Sequence, residues 1–155
     1  MAPFDALVGV VWRLPPGRAI GHQSTTERGE TTMRFMVLVK GCETMGPPPQ
    51  EFLDAVAKAA EEATRLGKLI ETGGLFPSDA GALVAVRKVA IDVKDGPFSE
   101  AKELVGGWGI VEAESKEEAV QGVVDLMQLH KKYWPGWEGE AEVRQMVPQH
   151  EAARR

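Results

Sequence analysis

The sequence predicts an α+β chain in which an antiparallel sheet carries two helices on one face. Three observations lead there. Phe35 to Val39 alternate along a strand whose two faces are both apolar. Two segments are one-sided at helical spacing, the first after Pro47-Pro48-Pro49 and the second opened by Ser115. Between them, two β-rich runs lead into the sharp turn Asp95-Gly96-Pro97-Phe98. The resulting order, β-α-β-β-β-α-β, favours an antiparallel sheet with its helices on one side, and the other side then calls for cover by a second copy. At 155 residues and 43% apolar content the chain supports one core and is short for two.

Residues 1–32 stand apart. They are polar and turn-rich, with Pro15-Pro16-Gly17 and Ser24 to Thr32, and show no sustained period. They read as a loosely ordered extension, or as upstream sequence read in frame, with an added strand at Leu7 to Trp12 as the alternative. The folded unit is expected over 33–148, followed by a polar tail at 149–155.

The Phe35–Val39 strand should be interior, because Phe35, Val37 and Val39 oppose Met36 and Leu38 and both sets need cover. The proline run stops the chain and suits a helix start. Phe52, Val56, Ala59, Ala63 and Leu66 then recur every three or four residues, and Gly67 supplies a left-handed terminator. Gly73-Gly74 and Pro77 to Gly81 bracket a short irregular strand-like stretch. Ala82–Val86 and Val89–Val93 make a hairpin about Arg87-Lys88. In Asp95-Gly96-Pro97-Phe98, Asp-Gly favours a turn, Pro97 fixes φ, and Ser99 can cap a helical turn over Glu100 to Glu103, after which the chain re-enters the sheet. Gly107 to Ala113 is the next strand. Ser115-Lys116-Glu117-Glu118 is a capping box, and Ala119, Val120, Val123, Val124, Leu126 and Met127 form the stripe of the helix it opens. Tyr133-Trp134-Pro135-Gly136-Trp137 ends that helix before a last strand from about Ala141 to Val147.

These residues also carry a family resemblance. Asp95-Gly96-Pro97-Phe98, followed by Glu100, Lys102, Glu103 and Gly107-Trp108, resembles the signature of the YCII-related family, also called the DGPF-domain family. Met33 to Lys40 is similar to its opening strand, Gly73-Gly74-Leu75 to its mid-chain turn, and Glu140 to Gln145 to its closing strand. The resemblance implies a ferredoxin-like protomer that pairs into a dimeric α+β barrel. It also implies kinship with muconolactone-isomerase-like enzymes and, for some relatives, an association with extracytoplasmic-function sigma factors. Many relatives carry a histidine after the Gly-Leu of the mid-chain turn. This chain has Phe76 there, which removes an acid-base group.

Composition excludes several classes. With 18 Lys plus Arg against 23 Asp plus Glu, the net charge of −5 disfavours nucleic acid as a partner. The single cysteine, Cys42, makes no internal disulfide, and its neighbours Gly41 and Glu43 are not the electropositive company that lowers a thiol pKa; this fits the cytoplasm. No run approaches the roughly 20 apolar residues of a membrane span, and Ala6 to Trp12 lacks the flanks of an export signal. His22, His130, His150 and Cys42 show no metal-ligand spacing, so no metal is expected. Gly106-Gly107-Trp108-Gly109 lacks a following helix to bind a pyrophosphate, so no nucleotide cofactor is expected either. Ser78, Ser99 and Ser115 read as turn or cap residues rather than nucleophiles.

Asp95 is the one catalytic candidate, as a proton acceptor at a pocket mouth; its competing role is to cap the turn by accepting N–H bonds near Phe98 and Ser99. Gly96, Pro97 and Phe98 would line such a pocket, although Phe98 also suits a core anchor. Lys102 could orient an anion or simply pair with its glutamate neighbours. Trp108, beside the turn in the family signature, is a further lining candidate. Arg144 lies on the face opposite Val143 and could point toward a cavity or into solvent. His130 could be a general base or a cation closing the helix dipole. Two functions follow as expectations: a homodimer binding a small organic molecule in a cleft beside the turn, with isomerase- or lyase-like chemistry, or a non-catalytic accessory protein linked to sigma-factor regulation.

Overall fold

The computed structural model describes residues 32–98 and 103–148. The expected extension (1–31), the helical turn after Phe98 with Lys102, and the tail at 149–155 lie outside the described residues. Strands β1 (Met33–Gly41), β2 (Leu69–Gly74), β5 (Leu104–Ala113) and β6 (Gly139–Gln145) form one sheet in the order β2-β5-β1-β6, every described pairing antiparallel. Helix α1 (Gln50–Arg65) joins β1 to β2 and helix α2 (Lys116–Tyr133) joins β5 to β6; in each case the two joined strands flank a third. This is the α+β arrangement that the element pattern predicts and the ferredoxin-like form that the family resemblance implies.

Register explains the core. Phe35 pairs with Val111 and Met33 with Ala113 across β1 and β5, so these side chains share a face, and Ala119 of α2 packs on it. Phe35 is 1% exposed, and its burial contributes about 1.5–3 kcal/mol. Phe52, Leu53 and Val56 of α1 meet Leu126, Leu129, Tyr133 and Trp134 in a second cluster that binds the helices together.

Helix ends follow local chemistry. Gly67, at φ 73°, donates to the Thr64 carbonyl while Lys68 donates to Ala63, and this closes α1. At α2, the Glu118 N–H donates to Ser115 Oγ (3.1 Å), but Glu118 Oε2 accepts from the N–H of Glu114 rather than of Ser115. The capping box is therefore shifted by one residue on its return side. Glu118 Oε1 also pairs with Lys68 (2.9 Å), tying the end of α1 to the start of α2.

Two features differ from the expectation. The short strand expected between Gly73-Gly74 and Pro77 lies instead before and through those glycines, as β2, and it gives a fourth strand between the helices. Strands β3 (Ala82–Arg87) and β4 (Ala90–Asp95) form the expected hairpin, but as a separate two-stranded sheet. Val84, Val86, Ile91 and Val93 share one hairpin face and are 63–75% exposed. The chain thus enters the Asp95 turn from a projecting arm and not from the main sheet.

Candidate functional site

The Asp95-Gly96-Pro97-Phe98 turn docks on the one-turn 3-10 helix Ser78–Ala80. The Gly96 N–H donates to the Gly81 carbonyl (2.8 Å), and the Phe98 N–H donates to Ser78 Oγ (2.9 Å). Ser78 in turn gives its own N–H and its hydroxyl to the two carboxylate oxygens of Glu43, which follows β1. Three segments remote in sequence therefore meet at one buried serine, 7% exposed. A Cβ at Gly96 would lie 1.7 Å from the Ser78 carbonyl oxygen, so the turn needs glycine for close approach. The Gly96–Pro97 peptide is cis.

Asp95 is exposed at the base of the arm, paired through its backbone register with Ala82. The Phe98 N–H, one of those it is expected to accept, goes instead to the Ser78 hydroxyl, and Ser99 lies outside the described residues. Pro97 is exposed, whereas Gly96 and Phe98 are half-buried, with the Phe98 ring beside Gly81.

His130 lies elsewhere, 6% exposed among aromatic rings. Its ring centroid is 4.5 Å from that of Phe52 and 4.3 Å from that of Trp137, and Trp134 lies 5.3 Å from Phe52. Nδ1 is 3.0 Å from the Leu126 carbonyl, which can only accept, so this nitrogen carries the proton. Burial pushes the pKa below its ordinary value, outweighing that hydrogen bond. A neutral ring in an aromatic cluster replaces the expected helix-closing cation. The Trp137 indole covers the cross-strand pair Gly41 and Gly139, where no side chain would fit beside it at residue 139.

The sheet face away from α2 brings together Trp108 and Arg144. Met36, Leu38, Trp108 and Ile110 form its half-buried apolar centre, and no described helix covers them. Trp108 lies against Gly73. Arg144 is exposed and binds Glu142 (Nε to Oε1, 2.7 Å), while the other oxygen of Glu142 takes Lys40 Nζ (2.7 Å), with Glu140 3.7 Å from the same ammonium. The hydrogen bond to Glu142 raises the Lys40 pKa, and the bond from Lys40 lowers that of Glu142. Lys40 and Glu142 were not legible as a pair: they are remote in sequence, and only the β1–β6 register sets them on one face at adjoining ends. Glu43 and Ser78 were missed for the same reason, although Pro77-Ser78-Asp79 marked a turn.

Two grooves lie away from the Asp95 turn. One, of about 480 Å³, lies between α2 and β6 and includes Val120, Val124, Met127, Ala141 and Val143. The other, of about 370 Å³, is bounded by Lys131, Trp134 and Trp137. The Cys42 thiol is exposed and, contrary to expectation, has a lowered pKa; the cause is hydrogen bonding to Thr44, against the opposing charge of Glu43. Phe76 is half exposed. Among the described residues, no group of three or more His, Cys, Asp or Glu is placed to hold a metal ion, and no helix is long and apolar enough to cross a membrane.

A family model for the YCII-related domain matches residues 33–126. The chain belongs to the YCII-related family. The match runs from the first residue of β1 into α2, so it takes in the Ser78 anchor, the hairpin arm and the Asp95 turn of this YCII-related chain. No curated protein matches the chain.

Proposed function

We propose that this YCII-related protein acts as a cytoplasmic homodimer that binds a small organic molecule between the bare sheet face and its twin, at the end near the Asp95 turn. The observation that carries the reading is the apolar centre Met36, Leu38, Trp108 and Ile110, left without a described helix on a sheet whose other face carries the core around Phe35. A second copy laid on this face would complete a barrel-like enclosure. Trp108 would then offer a flat apolar wall and Lys40 and Arg144 two cations, a combination suited to an aromatic or unsaturated carboxylic acid. In the catalytic form of this reading, Asp95 takes a carbon-bound proton from the bound carboxylate and returns it to another carbon as the double bond shifts, an isomerase-like step; its carboxylate has no hydrogen-bond partner among the described residues.

Thermal-shift screening of aromatic and carboxylic acids tests the binding, because any ligand of the native state raises the melting temperature. A hit whose shift is lost in Trp108→Ala supports the reading. No shift across the panel, or a compact form at micromolar concentration in which Leu38→Glu changes no assembly state, overturns it.

One observation favours a second reading, that of a non-catalytic accessory protein tied to sigma-factor regulation. Val84, Val86, Ile91 and Val93 form an exposed apolar strip on an arm whose two strands make a sheet separate from the main one. Such a strip suits contact with another protein. Failure of the ligand screen together with loss of a protein partner in Val86→Ser/Ile91→Ser would select it.

A further inference from the structure

Among the described residues β2 and β6 are the two edges of the four-stranded sheet, and they are built differently. On β2 the register slips between Leu69 and Glu71, and the strand ends in Gly73-Gly74. By contrast, β6 runs for 7 residues in unbroken register with β1 and contains no proline, and its three charged residues, Glu140, Glu142 and Arg144, include both signs. The N–H of Met146 donates to the Arg34 carbonyl (2.8 Å), which fixes the phase of this ladder. Counting back in twos, Arg144, Glu142 and Glu140 turn their peptide groups toward β1. Ala141, Val143 and Gln145 therefore turn theirs outward.

We propose that β6 is a docking edge for β6 of a second copy, paired antiparallel about a twofold axis at Val143. Charge selects the register. Centred on Val143, Glu142 stands opposite the partner's Arg144, and the symmetry makes the same contact twice. Centred one residue earlier, two copies of Glu142 would face each other, which is destabilising. The helix side agrees with this axis. Val143 and Ala141 share the 480 Å³ groove with Val120 and Val124, which are 40% and 43% exposed, and a second α2 brought alongside would fill it with like apolar groups. This edge borders the bare face, on which Glu142 and Arg144 lie, but its backbone pairing does not depend on the contact proposed there, and Val143→Pro separates the two; with both contacts the assembly has four chains.

Native mass spectrometry and light scattering of the full chain test the proposal. Because the Val143 N–H points away from β1, Val143→Pro removes an edge donor and leaves the β1 ladder bonded. The expected result is loss of one assembly step in Val143→Pro and in each of Glu142→Arg and Arg144→Glu, with the step restored when the two charge variants are mixed. Circular dichroism confirms folding, and the exposed Arg144 site serves if the proline variant does not fold. If these variants keep the wild-type mass, the proposal is overturned. If Leu38→Glu changes nothing while the β6 variants lower the mass, the bare-face reading fails and this one stands.

Discussion

The carbonyl oxygen of Ser78 occupies the space where a side chain at Gly96 would begin. The glycine of the family's signature turn is thus required by a neighbour 18 positions earlier in the chain, and the turn's role is to seat the base of the arm on the body. Gly96→Ala cannot keep this contact. A loss of about 1–3 kcal/mol is expected, as for other overpacked sites, with faster amide exchange at Gly96 and Phe98. Urea unfolding and hydrogen-exchange mass spectrometry check it.

Ser78→Ala removes the acceptor for Phe98 and one donor to Glu43. An expected cost of about 1–3 kcal/mol follows from leaving buried groups unpaired. Glu43→Gln in the Ser78→Ala background should cost less than it does alone, because the two residues share the bonds. A double-mutant cycle with coupling below about 0.5 kcal/mol would show that they act separately.

His130 gives a pH dependence with a definite sign. Its folded pKa lies below the ordinary 6.5, so the unfolded chain takes up the proton first as pH falls. The contribution to stability is whole above about pH 6.5 and declines below it toward the lower folded pKa. Melting temperature should fall between pH 7.5 and 5.5, and His130→Phe should flatten that slope. An unchanged slope would assign the effect to other groups.

Thr44 holds the Cys42 thiol within 2.9 Å of its hydroxyl and, with its backbone N–H, lowers the thiol pKa. More thiolate is then present near neutral pH than in an ordinary exposed cysteine. Thr44→Val should slow alkylation by iodoacetamide at pH 7.5, and a pH-rate profile should move to higher pH.

Asp95→Asn is expected to leave stability within about 0.5 kcal/mol, since the side chain is exposed and holds no partner among the described residues. Any loss of ligand response in this variant would then report on binding or chemistry and not on folding. Denaturant midpoints measured beside the thermal-shift panel separate the two.

Much of the architecture was legible in residues whose signals are local. The Phe35–Val39 alternation, the Gly67 stop and the Ser115 cap each act within a few positions, and each stands where expected. The β2 strand was less clear because a register slip hides its alternation and glycines end it. Asp95 to Phe98 announced a turn, but nothing nearby names Ser78 as the group that satisfies it. The expectation for His130 went astray because helix position suggested a charge, whereas the rings of Phe52 and Trp137 make charge costly. Side-chain alternation correctly set Arg144 opposite Val143, yet its tie to Glu142 and Lys40 depends on strand neighbours that sequence spacing does not reveal.

The bond from the Gly96 N–H to the Gly81 carbonyl closes the arm at its root, so β3 and β4 leave and rejoin the body at one point. Geometrically the arm is an appendix with a closed neck. Residues can be added or removed in pairs at its tip, around Lys88 and Val89, while the path of the remaining chain stays the same. Evolution can therefore alter what the appendix touches without renegotiating the fold beneath it.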